Sequence, residues 1–122
     1  MESILKNKSF EFAVRIIKLC KFLQDEYKEY ILSKQLLRSG TAIGALINEA
    51  EFGQSKADFI SKMSIALKEA NETVYWLRLI NSCQLSEEKL INSFLSDCKE
   101  IIALLVSTIK TSKGIHKQKG SA

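Results

Sequence analysis

No proline occurs in the 122 residues, where an average chain of this length would carry about six. Proline removes a backbone donor and clashes with the preceding turn, so its absence favours helix. Histidine occurs once, as His116 near the C-terminus. A His-rich metal site, a Ser-His-Asp triad and a Cys-His pair all need an imidazole inside the fold, and each is thereby excluded. The three cysteines, Cys20, Cys83 and Cys98, show no CxxC spacing and cannot all pair internally. Each falls on or beside an apolar helical stripe and reads as a reduced thiol acting as a small hydrophobe. No N-terminal stretch resembles a signal peptide, because Lys6 and Lys8 precede an amphipathic run broken by Glu11, Arg15 and Lys18. The uncharged run Ile101–Ile109 is nine residues long, against the twenty or so that a bilayer requires. These absences predict a cytoplasmic protein with no metal, no cofactor and no membrane partner.

What is present describes one globular domain, with 46% hydrophobic and 26% charged residues. The formal charge of +4 is unevenly spread. Residues 1–38 hold eight bases and five acids, residues 39–109 six and nine, and residues 110–122 four lysines and no acid. Basic ends around a mildly acidic middle permit an anionic partner without demanding one.

Apolar periodicity divides the chain into four helices and leaves no strand signal, repeat or linker. In the first, over residues 9–27 with Ser9 as N-cap, Phe12, Ile16, Leu19, Cys20, Leu23 and Tyr27 recur at three- and four-residue steps. The second, over 33–52, opens on Ser33 and is ended by Gly53. Small residues crowd its middle, and Gly40 and Gly44 share one face on which another backbone could approach closely. Glycine costs about 1 kcal/mol against alanine within a helix, so the pair predicts tight helix packing. Ser55 and Asp58 form a capping-box-like pair that opens a third helix over 55–82. Its stripe of Phe59, Met63, Ala66, Ala70, Thr73, Leu77 and Ile80 is widened on both sides, so several neighbours must cover it. The fourth, over 86–111, is capped by Ser86 with Glu87 and Glu88 in its first turn. Residues 1–112 are therefore expected to form an all-α, antiparallel up-and-down four-helix bundle, followed by a disordered basic tail over 113–122.

Catalytic chemistry is hard to assemble from these residues. Glu49, Glu51, Glu69 and Glu72 supply carboxylates, but no helical histidine completes a di-iron site, and they read as solvated or salt-bridged side chains. Lys68 and Glu72 stand in a surface pairing register. Gly40 and Gly44 lack the Gly-Lys-Ser of a phosphate-binding loop. No enzyme is expected and no catalytic residue is assigned. Basic side chains do cluster: Lys8, Arg15 and Lys18 share a face of the first helix with Lys21 at its edge, and Lys34 and Arg38 begin the second. Lys110, Lys113, Lys117 and Lys119 make a basic tail. Arg15, Lys18, Lys21, Lys34, Arg38, Lys110 and Lys113 are the candidate phosphate contacts. Phe52, Tyr75 and Trp76 exceed what a narrow bundle seam needs and are candidates for a self-association surface.

The run from Ser33 to Leu79 carries a resemblance. The segments S-x-Q-L-x-R-S-x-T-x-I-x-x-x-I-x-E-A, Ser33 to Ala50, and S-x-x-D-F-I-x-K-x-x-I-A-L-K-E-A-x-E-T-x-Y-W-L, Ser55 to Leu77, are similar to the small bacterial proteins encoded by intervening sequences within 23S ribosomal RNA genes. The flanking helices match in pattern, over about residues 8 to 112. The resemblance implies a left-handed bundle that assembles into a ring-like homopentamer. In a related branch, the accessory variability protein of diversity-generating retroelements, the basic pentamer binds reverse transcriptase and nucleic acid. The expectation is a homo-oligomer, a pentamer, that binds RNA or a ribonucleoprotein through its basic faces. The alternative is a scaffold that docks a nucleic-acid-processing protein such as a reverse transcriptase, without touching nucleic acid itself.

Overall fold

The computed structural model describes residues 3–114, as four helices: α1 (Ile4–Tyr27), α2 (Leu32–Glu51), α3 (Lys56–Ser82) and α4 (Glu88–Ser112). Among the described residues there is no strand. The tail expectation lies outside them from residue 115 onward, with Lys117 and Lys119. Short connections turn each helix back along its predecessor. The start of α1 meets the end of α2 through Lys6 and Glu51, while Gln24 meets Ser33 at the opposite end. Each helix packs on the next and α4 returns to α1, whereas the diagonal pairs do not touch. The α4–α1 seam is by far the thinnest of the four.

Phe12, Ile16, Leu23, Leu36, Ile43, Leu77, Ile80, Ile91, Ile101 and Leu105 are fully buried and fill the axis. The apolar stripes of α1 and α3 placed Phe12, Ile16, Leu23, Leu77 and Ile80 inside, whereas Leu36 and Ile43 lie on the small-residue helix. Tyr27 departs from its stripe because α1 has already reached its last turn there, and its ring is about half exposed. Cys20 and Cys98 behave as core thiols: they donate to the carbonyls of Ser33 and Ala70, and burial pushes both up to about 12. Cys83 is exposed at the end of α3, contrary to the core reading.

The helix starts correct several sequence expectations. Ser3, not Ser9, caps α1 by accepting the Lys6 N–H at 3.2 Å. Ser9 is buried a turn and a half inside the helix, with its hydroxyl bonded back to the Lys6 carbonyl. Ser33 does not cap α2 either. Glu29 reaches forward from the connection, and its carboxylate accepts from Ile31, Leu32 and Ser33 at 3.1, 2.8 and 2.8 Å. One anion thus satisfies three free donors at the positive end of a helix. The chain can deliver Glu29 there because Lys28 takes a left-handed conformation, φ 53°, at the close of α1. Ser55 caps α3 as expected, but Asp58 returns to the N–H of Gln54 rather than that of Ser55. At α4 the helix begins two residues late, at Glu88, and neither Ser86 nor Glu87 makes a side-chain cap bond.

The small residues of α2 act in two directions. Towards α3, the buried Ser39 hydroxyl bonds that of Thr73 at 3.0 Å. Towards α1, a Cβ on Gly40 would lie 2.9 Å from Cγ2 of Ile16, and one on Gly44 would lie 3.3 Å from the Ser9 carbonyl oxygen. The close approach expected of this glycine pair is therefore made by α1. Gly40→Ala should lower stability by about 1–2 kcal/mol in urea unfolding, because the clash with a fully buried isoleucine outweighs the gain in helix propensity. Ile16→Ala should then cost less in the Gly40→Ala background than in the parent chain. Additive losses would mean that the two residues do not press on each other.

Candidate interaction surfaces

Among the described residues, no three His, Cys, Asp or Glu side chains come together as a metal-binding group, and no helix is long and apolar enough to cross a membrane. The basic side chains named as candidate phosphate contacts lie on the outer faces of the helices.

Two of the candidate phosphate contacts are engaged inside the molecule. Arg15 spans the thin α1–α4 seam, with one nitrogen on Asp97 at 2.5 Å and another on the Ser93 hydroxyl at 3.0 Å. Its guanidinium lies 4.1 Å from the centre of the Phe94 ring, adding a cation–π contact. Arg38 bridges α2 to α3, 2.6 Å from Glu72 and 3.5 Å from Glu69. Glu72 therefore pairs across helices with Arg38, while Lys68, its expected partner, forms no ion pair among the described residues. Lys8, beside Arg15, is taken by Glu100 at 2.9 Å. Lys21 approaches Asp25 only loosely, at 3.9 Å.

Lys18, Lys34, Lys110 and Lys113 have no ion-pair partner among the described residues. They do not form one patch. Lys18, Lys21 and Lys34 lie within about 14 Å of the end where α1 hands over to α2, whereas Lys110 and Lys113 close α4 at the other end.

The aromatic candidates are also separated. Phe52 is 73% exposed at the end of α2, and Tyr75 stands about 28 Å further along α3, towards the opposite end. Tyr75 is exposed and meets Trp76 edge to face, with ring centres 5.0 Å apart. Trp76 is half-buried against the core, and its indole N–H donates to Glu72 at 3.1 Å.

Two surfaces escaped the sequence reading. Phe10, Val14 and Ile17 form an exposed apolar strip on α1, with Phe10 at 70% exposure and Ile17 at 50%. Their steps of four and three residues are legible in the sequence, but they run beside the stronger Phe12–Leu23 stripe. The second surface is an open groove of about 330 Å³ over the α1–α4 seam, lined by Arg15, Lys18, Leu19, Phe22, Leu90 and Phe94. It lies on the α4 side of α1, away from the strip.

The Arg38–Glu72–Trp76 chain of contacts has an electrical signature. The Trp76 indole N–H, followed by the Arg38 guanidinium, holds the Glu72 carboxyl below its ordinary value, while partial burial opposes them. The hydrogen bond to Glu72 raises Arg38 in return. A carboxyl lowered by folding stabilises the fold above its unfolded value, near 4.3, and that contribution is lost as pH falls through the lower folded value. Emission from Trp76, the single tryptophan, should stay constant down to pH about 4.3 and shift only below it. Glu72→Gln should abolish the transition. A midpoint above the ordinary carboxylate range would contradict this assignment.

The comparisons with known proteins agree with one another. The family model described as 23S rRNA-intervening sequence protein matches residues 1–107. A solved structure from Bacteroides thetaiotaomicron, described as a protein with unknown function from the S23 ribosomal protein family, is 56% identical. The alignment covers 88% of this chain and 99% of that one, with a TM-score of 0.87. No functionally curated protein matches the chain.

Proposed function

Because the chain belongs to the 23S rRNA-intervening sequence protein family, we propose that it serves as a non-catalytic, self-associating helical scaffold. The observation that carries this reading is the strip of Phe10, Val14 and Ile17, three large apolar side chains exposed in a row on α1. Scattered surface apolar residues are ordinary, but a contiguous set on one face marks a protein contact. Beside the strip, α2 presents the small residues Thr41, Gly44 and Ala45, so a partner can settle close to both helices. The pentamer implied by the motif resemblance adds a constraint. A five-fold ring joins two different patches, because only two-fold contacts are self-complementary. The exposed rings of Tyr75 and Phe52 supply the candidates for the second patch.

Light scattering should give about five times the 13.8 kDa chain mass, and both Ile17→Glu and Tyr75→Glu should reduce it. A monomeric parent chain would defeat self-association. An unchanged assembly in Ile17→Glu would move the contact off α1.

A second reading, direct RNA binding, is favoured by Lys18 and Lys34, which lie exposed towards one end of the bundle without ion-pair partners among the described residues. Arg15 and Arg38 contribute little to it, since leaving their carboxylates would uncover Asp97, Glu69 and Glu72 to a phosphate. In fluorescence anisotropy against a structured 23S ribosomal RNA fragment, affinity should fall along a linear log–log salt slope. Lys34→Glu should lower that slope by about one. Absence of binding at low salt would leave the scaffold reading alone.

A further inference from the structure

We infer that the groove between α1 and α4 binds a small amphiphilic anion, a carboxylate carried on an aliphatic or aromatic body. The inference is independent of self-association and of RNA binding, because the groove and the Phe10–Ile17 strip occupy different sides of α1. Leu19 and Phe94, both buried, form its floor, while the half-exposed Phe22 and Leu90 form its walls. A volume of about 330 Å³ lies at the small end of the range for ligand pockets, which are typically apolar with a few polar groups that fix orientation.

Charge sets the orientation. Of the two cations that line the groove, Arg15 is already satisfied by Asp97, Ser93 and the Phe94 ring. Lys18 is not, and no carboxylate lines the groove to neutralise it. The site therefore offers one unmet positive charge beside an apolar trough, complementary to one anion attached to an apolar body.

Length excludes larger occupants. From Arg15 to Phe22 the groove runs two turns of α1, about 10 Å. Beyond Arg15 the seam becomes polar, lined by Lys8, Glu11, Asp97 and Glu100, and two ion pairs cross it. An amphipathic partner helix would need its apolar trough to continue there. A nucleobase fits poorly for another reason: the apolar walls would leave most of its hydrogen-bonding edge unpaired.

Isothermal titration of the full chain with hexanoate, octanoate and decanoate, all below their micellar concentrations, tests the inference. Binding should be saturable, and each added methylene should tighten it about 3.9-fold until the trough is full. Octanoate against 1-naphthoate distinguishes an aliphatic from an aromatic body. Lys18→Glu should weaken octanoate at least tenfold and leave neutral octanol unchanged. Leu90→Glu, at a partly exposed position, should abolish both, whereas Ile17→Glu should affect neither. In the unmodified protein, amide shifts should concentrate at residues 15–22 and 90–94, a readout that no folding defect can mimic. No saturable binding, equal affinities along the series, indifference to Lys18→Glu, or a loss that follows Ile17→Glu would each overturn the assignment.

Discussion

The close contact between α1 and α2 is the constraint on which the rest of this bundle depends. Gly40 and Gly44 bring α2 against Ile16 and the Ser9 backbone, at distances that leave no room for a methyl group on Gly40. Four helices around one axis share a fixed set of neighbours, so drawing α1 towards α2 takes it away from α4. The thin α1–α4 seam is the counterpart of the tight one. What holds it is specific: the Phe12–Phe94 edge-to-face pair, 6.2 Å between ring centres, and the ion pairs of Arg15 and Lys8. Elsewhere along that seam Leu90 and Phe22 are left facing water.

The charge of two of the three arginines, Arg15 and Arg38, is structural. Each of the arginines first suspected of meeting phosphate instead ties two helices together. Each does so with geometry that a lysine would not reproduce: Arg15 uses two nitrogens and its flat face, and Arg38 reaches two glutamates. Exposed pairs contribute little individually, so the value of these contacts lies in alignment more than in stability. Among the described residues a partner therefore meets two arginines whose charge is met, and free cations, Arg78 and several lysines, spread over the surface. That distribution suits weak, screened attraction better than a dedicated phosphate track.

The fold was legible because its signal is redundant. The stripes of α1 and α3 hold six and seven positions at helical spacing, so no local error can reverse the result. Caps were less legible, since a serine before an apolar run is only a local cue. Ser9, Ser33 and Ser86 all carried that cue, and none of them caps a helix: Ser3 caps α1, Glu29 caps α2, and α4 starts without a side-chain cap bond. Glu29 reached α2 from the connection, and Ser9 was needed small and buried beside Gly44. The sites were least legible. The partners of Arg15 stand 78 and 82 residues away, and nothing in the local sequence distinguishes an ion-paired arginine from a solvated one. Phe10, Val14 and Ile17 posed the reverse difficulty, because apolar residues at helical spacing look the same whether they meet the core or a partner.

One helix consequently borders both proposed contact surfaces. On one flank α1 is fixed by glycines and shows an apolar strip; on the other it borders a groove whose lips are incompletely packed. Filling that groove would add apolar contact where the bundle has least of it. An occupant would therefore stabilise the folded chain through linkage, by an amount that grows with the logarithm of its concentration over its dissociation constant. Covering the strip acts on the flank that is already tight, where there is little packing left to gain. The two surfaces thus differ in kind: assembly on the strip would read a rigid face, whereas occupancy of the groove would complete a core that the chain alone leaves open.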